Sequence, residues 1–450
     1  MIGRKRIREL LRDEEICFEK THPISKSLYK KAQKSLYNGV PMNWMVRWAS
    51  PFPIFVEKAS GAIFNCVDGK NYLDFCLGDT GAMTGHAPPD AVEAICERVK
   101  NGTTFMLPTA DAIVVGEELK RRFGLPYWQI ALTATDANRF AIRLARQMTG
   151  RKKILVFNWC YHGTVDESFI TINDGLPGLR PGSIGEPVDP NLTTRVVEFN
   201  DIEALEIALS HRDVACVLAE PVMTNIGIVH PQPGFHDALR SLTKTYQTLL
   251  IIDETHTICT GAGGYTRAYD LEPDMITLGK PVGSGIPGAV YGFNQAIADM
   301  CTEKLDPDTS DVGGIGGTLA GNALSLAAMK VTLEKVLTED AYRHTTNMAT
   351  HFKKGVQQAV SDFNLPWTVQ QLGCRTEYWF CPEPPRNGGE AAAAVDEILD
   401  RYMHLATLNR GILMTPFHNM ALIAPTVTKA DIDRHTDIFR EIVAPLVKED

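Results

Sequence analysis

Short hydrophobic runs recur through the middle of the chain, separated by stretches that are apolar on one side only. The runs at 130–133, 154–158, 195–199, 214–219, 249–252, 275–278 and 288–293 are rich in β-branched residues, as expected of strands buried on both faces of a parallel sheet. The stretches 89–100, 109–123, 136–149, 201–211 and 234–247 space their apolar residues as helices do. Seven strands alternating with helices predict an α/β domain whose mostly parallel sheet is covered on both faces.

The two ends of the chain follow other periods. Residues 1–45 set Ile7, Leu10, Leu11, Leu28 and Leu36 at helical spacings among charged residues, which predicts a partly packed arm. Strands are then expected at 54–56, 62–67 and 72–75, with Asp68-Gly69 as a tight hairpin turn. Beyond Asn322 an amphipathic helix runs through Leu337. Residues 339–450 predict a helix, a strand at 367–381, a helix at 390–409, strands at 411–415 and 420–424, and a last helix opened by a Thr428/Asp431 capping box. The expected division is an arm and strand meander over 1–75 that packs with the small domain, a large domain over 76–330 and a smaller α+β domain over 331–450.

Composition narrows the partners. A net charge of −9 argues against non-specific nucleic-acid binding, and ten cysteines without a C-x-x-C pair suit a reducing compartment better than a disulfide framework or a zinc site. No stretch approaches the ~20 apolar residues of a membrane span, and the first residues hold no uninterrupted apolar segment of a secretory signal. The expectation is a soluble cytoplasmic protein with no membrane, nucleic-acid or metal partner.

The chemistry concentrates between Leu249 and Lys280. The run 249–252 delivers Asp253 and Glu254 at its carboxyl end, and the run 275–278 delivers Lys280 in the same way. Open α/β sheets bind ligands at the carboxyl ends of their strands, so Asp253 and Lys280 are expected to face one ligand. An acid and a lysine so placed suit pyridoxal 5′-phosphate: the lysine holds the aldehyde as a Schiff base and the acid keeps the pyridine nitrogen protonated. No G-x-G-x-x-G follows the first strand of an alternating unit, which disfavours a nicotinamide enzyme.

Several ordered segments share this pattern with a known family. These are ALTATDANRFAIRLARQMTGRKKI, FNWCYHG, AEPVMTNIG, IIDETHT and GGIGGTLAGNALSLAAM. From about Gly39 onward the chain resembles the class III aminotransferases among the fold-type I pyridoxal-phosphate enzymes, and within them the glutamate-1-semialdehyde 2,1-aminomutase branch. The resemblance implies a homodimer and assigns roles residue by residue. Ala134, Thr135 and Asp136 stand in the segment that opens a helix under the cofactor phosphate, where the family usually has Ser-Gly-Thr-Glu-Ala and this chain has Thr133-Ala134-Thr135-Asp136-Ala137. Tyr161 stacks on the outer ring face, and His162 supports it. Glu220 ends a strand beside the site, and Asn225 bonds the phenolic oxygen. Asp253 pairs with the ring nitrogen, and Thr255 packs on the inner face where valine is common. His256 is expected to support rather than catalyse. Thr318 reaches the phosphate of the neighbouring subunit.

For the substrate, the MVRWASPFP segment nominates Arg47 as the carboxylate partner, since its planar fork binds a carboxylate bidentately. Two departures from the branch suggest a different pocket: Asp79 replaces an aromatic residue, and the turn TPFHNMAL lacks an acid. Trp48, Asp79, Phe417 and His418 are accordingly expected near the substrate. The leading expectation is an aminotransferase moving an amino group from a donor to a keto acid through Lys280, with Asp253 and Tyr161 as its catalytic partners. The alternative is an isomerase, either an aminomutase or a racemase, which needs the same residues.

Overall fold

The computed structural model describes residues 3–305, 310 and 312–447, which fall into two compact units. One contains the residues up to Pro88, Arg343–Pro384 and those from Ala394 onward; the other contains Pro89–Tyr342 and Pro385–Ala393.

The second unit is built on a seven-stranded sheet. Its strands are numbered here along the chain: β1 (Tyr127–Ala131), β2 (Lys153–Phe157), β3 (Thr194–Val197), β4 (Val214–Ala219), β5 (Leu249–Asp253), β6 (Met275–Leu278) and β7 (Ala289–Phe293). They lie in the order β1-β7-β6-β5-β4-β2-β3. Neighbours from β6 through β3 run parallel, whereas β7 is antiparallel to both β6 and β1. Two reversals restore the direction of β1, so six strands point their carboxyl ends to the same edge. Every residue of β4 and β6 is buried, as an apolar run covered on both faces requires.

The helix Ala134–Thr149 packs on this sheet. Ala137, Ala141 and Ala145 recur every fourth residue on its buried face, and their small side chains let the backbone approach β4, β6 and β7 closely. Thr133 caps its start by accepting the Asp136 N–H at 3.1 Å, and Gly150 ends it with φ +67°. A hairpin of Ile170–Asn173 with Leu176–Leu179, turned by Asp174 and Gly175 at positive φ, was not among the expected elements. The helix expected from Asn322 to Leu337 is α-helical over Ala323–Val331 and continues as a π-helical turn, Thr332–Val336.

The first unit carries the arm helices Arg4–Thr21 and Pro23–Ala32, a four-stranded sheet and a three-stranded sheet. Its first strand lies at Val56–Ser60, not 54–56, and pairs with Ile63–Cys66. The Asp68-Gly69 turn joins Ile63–Cys66 to Asn71–Asp74, with Gly69 at φ +77°. The single strand expected over 367–381 is a hairpin, Thr368–Leu372 and Arg375–Trp379, because Gly373 turns the chain at φ +53°. The helix expected over 390–409 is interrupted after Gly388–Ala393 and restarts at Glu397–Asn409, where Asp396 accepts the Leu399 N–H. Thr428 and Asp431 form the expected capping box.

Arg47, Trp48 and Asp79 belong to this first unit. Arg47 is exposed and ends a short 3-10 helix, Trp48 is partly exposed, and Asp79 is partly buried with φ +49°. The turn 415–420 holds no acid of its own, but the buried Glu377 on the adjacent strand stands 3.7 Å from the ring of His418. Phe417 in the same turn is exposed, at φ +69°.

Candidate active site

The carboxyl edge of the large sheet gathers most of the nominated polar residues. Asp253 ends β5 with its carboxylate buried and fully engaged. Its Oδ2 accepts from Asn138 Nδ2 and His162 Nδ1, both at 2.9 Å, and its Oδ1 accepts the Thr255 N–H at 3.0 Å. Burial alone would raise its pKa, yet the His162 hydrogen bond and charge, with the Thr255 and Asn138 bonds, hold it below the ordinary carboxylate range. Burial likewise works against a charged His162, but Cys160 and the Asp253 carboxylate beside it raise the ring above its usual value. The two form a buried ion pair, with a carboxylate ready to face a cationic group.

Lys280 follows β6 by two residues and takes φ +51°, a left-handed backbone that a side chain seldom adopts and that clusters at functional sites. Its Nζ lies 2.8 Å from His256 Nε2. Gly279 has no room for a side chain, since a Cβ there would stand 2.9 Å from the Ala134 Cβ. The strand order explains this contact: β1 leads directly into Thr133-Ala134-Thr135 on the edge where β6 ends.

Thr135 and Tyr161-His162-Gly163 meet in the same way. The Thr164 N–H donates to Thr135 Oγ1 at 3.0 Å, and a Cβ on Gly163, which sits at φ +76°, would fall 2.1 Å from that oxygen. Gly163→Ala is therefore expected to cost about 1–3 kcal/mol of stability and to weaken cofactor binding by displacing Thr135. Denaturant unfolding and a pyridoxal-phosphate titration check this, and unchanged affinity would show that the Thr135 segment adapts freely.

Tyr161 is partly buried, with its ring edge-on to Phe169 at 6.4 Å. Glu220 follows β4 and accepts hydrogen bonds from the Thr224 N–H and hydroxyl. Burial pushes its pKa up to about 7 against the opposing pull of His162. Asn225 lies in the same loop, partly buried and bridged to Gly227. The Asp136 carboxylate accepts from the Thr133 hydroxyl at 2.9 Å, so its side chain completes the helix cap. Thr318 stands apart, exposed in the turn that follows Val312–Ile315.

Asn138 is a site residue that the motifs do not disclose. It is buried, donates to Asp253 Oδ2 and to the His162 carbonyl, and accepts from Thr277 Oγ1 at 2.6 Å. The available signal was an amide at a core-facing helix position, which needs a buried partner to be tolerated. Glu254, next to Asp253, is structural: it accepts from Thr257 Oγ1, the Tyr265 N–H and the Thr266 N–H.

Pyridoxal 5′-phosphate fits these residues on three observations. Thr255 Oγ1 is buried without a hydrogen-bond partner among the described residues. The start of helix Ala134–Thr149 presents the backbone N–H groups and dipole that suit a phosphate. An ionised carboxylate and a lysine amine stand on adjacent strands. Among the described residues, no group of three or more His, Cys, Asp or Glu side chains could hold a metal ion, and no helix is long and apolar enough to cross a membrane.

Comparison with known proteins agrees with this assembly. Residues 44–443 match the family model for aminotransferase class-III. The glutamate-1-semialdehyde 2,1-aminomutase of Methanothermobacter thermautotrophicus is 34% identical over 399 residues, covering 87% of this chain and 92% of its own. The crystal structure of a glutamate-1-semialdehyde-aminomutase from Pseudomonas aeruginosa PAO1 is 46% identical with a TM-score of 0.97, covering 99% of each chain, and a lysine-to-alanine form of it is known in complex with PMP. An omega-transaminase from Sphaerobacter thermophilus superimposes with a TM-score of 0.86 at 25% identity, covering 94% of this chain and 97% of its own.

Proposed function

Because the chain belongs to the class-III aminotransferase family and uses pyridoxal 5′-phosphate, we propose that it is an aminomutase of the glutamate-1-semialdehyde type. Such an enzyme moves an amino group between neighbouring carbons of one substrate. The observation that carries this reading is the 46% identity over nearly the whole chain to the Pseudomonas aminomutase, against 25% to the omega-transaminase. It reverses the order expected from the motifs, because lysine, acid and stacking tyrosine serve both reactions equally.

When bound, the cofactor supplies an aldehyde that takes up the substrate amine and a protonated ring that draws electrons from the neighbouring C–H bond. Lys280 is the amine that carries it covalently. Once free, Nζ would take a proton from the substrate carbon that loses the amino group and deliver one to the carbon that gains it, as a general base and then acid. Asp253, kept ionised by His162 and Asn138, holds the proton on the ring nitrogen. Tyr161 covers the outer ring face, and Thr255 covers the inner face with its unpartnered hydroxyl. The N–H groups of Ala134 and Thr135 take the phosphate, while Asn225 bonds the phenolic oxygen and Glu220 borders the pocket. Arg47 is the proposed partner of the substrate carboxylate, and Trp48 and Asp79 are the other proposed substrate residues. Thr318 reaches the phosphate of a second copy in a homodimer, and its exposed position within one chain supports that reading.

The test is glutamate-1-semialdehyde without any keto acid. The expected product is its isomer, with the amino group on C1 and a ketone at C2, formed by the cofactor-loaded protein alone. Intermolecular transamination is the second reading, favoured by Asp79 and by His418 in the acid-free turn. It predicts no isomer, and turnover only when a keto acid is added.

A further inference from the structure

We propose that His256 is the proton partner of Lys280, a positioning residue that takes a proton from Nζ and holds the neutral amine in place. The inference rests on Lys280 being the residue that carries pyridoxal phosphate. The structure holds His256 Nε2 at 2.8 Å from Nζ, with the residue only 8% exposed.

Both partners are fixed by backbone. The Glu254 N–H donates to the Thr277 carbonyl at 2.9 Å, the Ile258 N–H to the Glu254 carbonyl at 2.9 Å, and the Cys259 N–H to the His256 carbonyl at 3.2 Å. His256 is thus clamped at the head of the 3-10 helix Thr257–Thr260, and Lys280 starts from its left-handed backbone two residues past the adjoining strand.

The residue type decides what this contact does. An ammonium has no lone pair with which to attack an aldehyde, so a proton must leave before the carbon–nitrogen bond forms. A carboxylate at this place would stabilise the ammonium and oppose that loss. Imidazole is neutral before it accepts a proton and has an unperturbed pKa of ~6.5, so it accepts one without first pairing with the ammonium. The nearby carboxylates of Asp253 and Glu254 are engaged with His162 and Asn138, and with Thr257, Tyr265 and Thr266. In the step, one Nζ–H bond breaks and its proton passes to Nε2. The freed lone pair forms the bond to the aldehyde carbon. The two hydrogens left on Nζ depart with the aldehyde oxygen as water, leaving a carbon–nitrogen double bond.

The experiment follows covalent capture of pyridoxal phosphate by the full-length chain freed of cofactor. Samples are reduced with borohydride at intervals, and the modified Lys280 peptide is quantified by mass spectrometry. His256→Ala is expected to slow capture at least ~10-fold, within the range for a positioned proton acceptor, and added imidazole is expected to restore the rate. His256→Gln, which accepts a hydrogen bond but not a proton, is expected to be equally slow; it also carries the test if the alanine variant fails to fold. A wild-type rate in either variant, or no response of the alanine variant to imidazole, overturns the inference. Wild-type protein that captures nothing at Lys280 overturns the reading beneath it, so the two failures are distinct.

Discussion

Lys280→Ala is expected to lower turnover by about ten-thousand-fold or more, the upper end of what one positioned acid–base group contributes, while the cofactor remains bound. The two effects separate because different residues serve them. In the proposed reaction, proton movement at the substrate carbons rests on one amine, and no side chain on β5 or β6 duplicates it. Retention is expected to rest on the helix start at Ala134, on the Asp253 carboxylate and on the packing of Tyr161 and Thr255. The lysine-to-alanine form of the Pseudomonas relative in complex with PMP makes the second half of the prediction concrete. Steady-state rates and a binding titration with PMP check it together. Near-normal turnover without Lys280 would remove the basis of the proposed mechanism, and loss of all binding would show that the lysine itself retains the cofactor.

Asp253→Ala should destabilise the cofactor-free chain by about 3–5 kcal/mol, the usual cost of removing one partner from a buried ion pair. The alanine leaves the His162 ring and the Asn138 amide without the oxygen they share. The pH dependence follows from the two shifts. The depressed pKa of Asp253 gives stability that is present above the unfolded value of ~3.9 and lost as pH falls through the folded one. The raised pKa of His162 gives stability that is complete below ~6.5 and lost as pH rises through its folded value. Both contributions coexist between about pH 4 and 6.5, so the deficit of the variant should be greatest there and shrink on either side. Denaturant unfolding of both proteins inside that window and well to either side of it measures the deficit, and a deficit that stays unchanged outside the window would mean that the pair is not ionised. Activity should fall with it, since the ring nitrogen loses its anionic partner.

The seven strands were legible because strands covered on both faces read as continuous apolar runs, and Val214–Ala219 and Met275–Leu278 are buried at every position. Asp253 and Lys280 were legible because each lies within two residues of the end of such a run. Asn138 was not, since a buried amide inside a helix looks like any polar residue until its partners, 24, 115 and 139 residues away, are known. The hairpin turned by Asp174-Gly175 escaped although Asp68-Gly69 did not: its strands are short and lie outside the main sheet, so no strong apolar run flanks the turn. The contact of His256 with Lys280 was not legible for a related reason, because it depends on the pairing of β5 with β6 and not on spacing along the chain.

The antiparallel placement of β7 has a consequence for how the molecule matures. Ala131 of the edge strand pairs with Ala289, a remote segment of the chain, and the Thr133–Thr135 segment that follows it lies against Gly279. Pairings between remote segments form slowly because a large loop must close first. A chain with that edge still open would leave the Thr133–Thr135 segment away from Gly279, so acquisition of colour is expected late in folding rather than early.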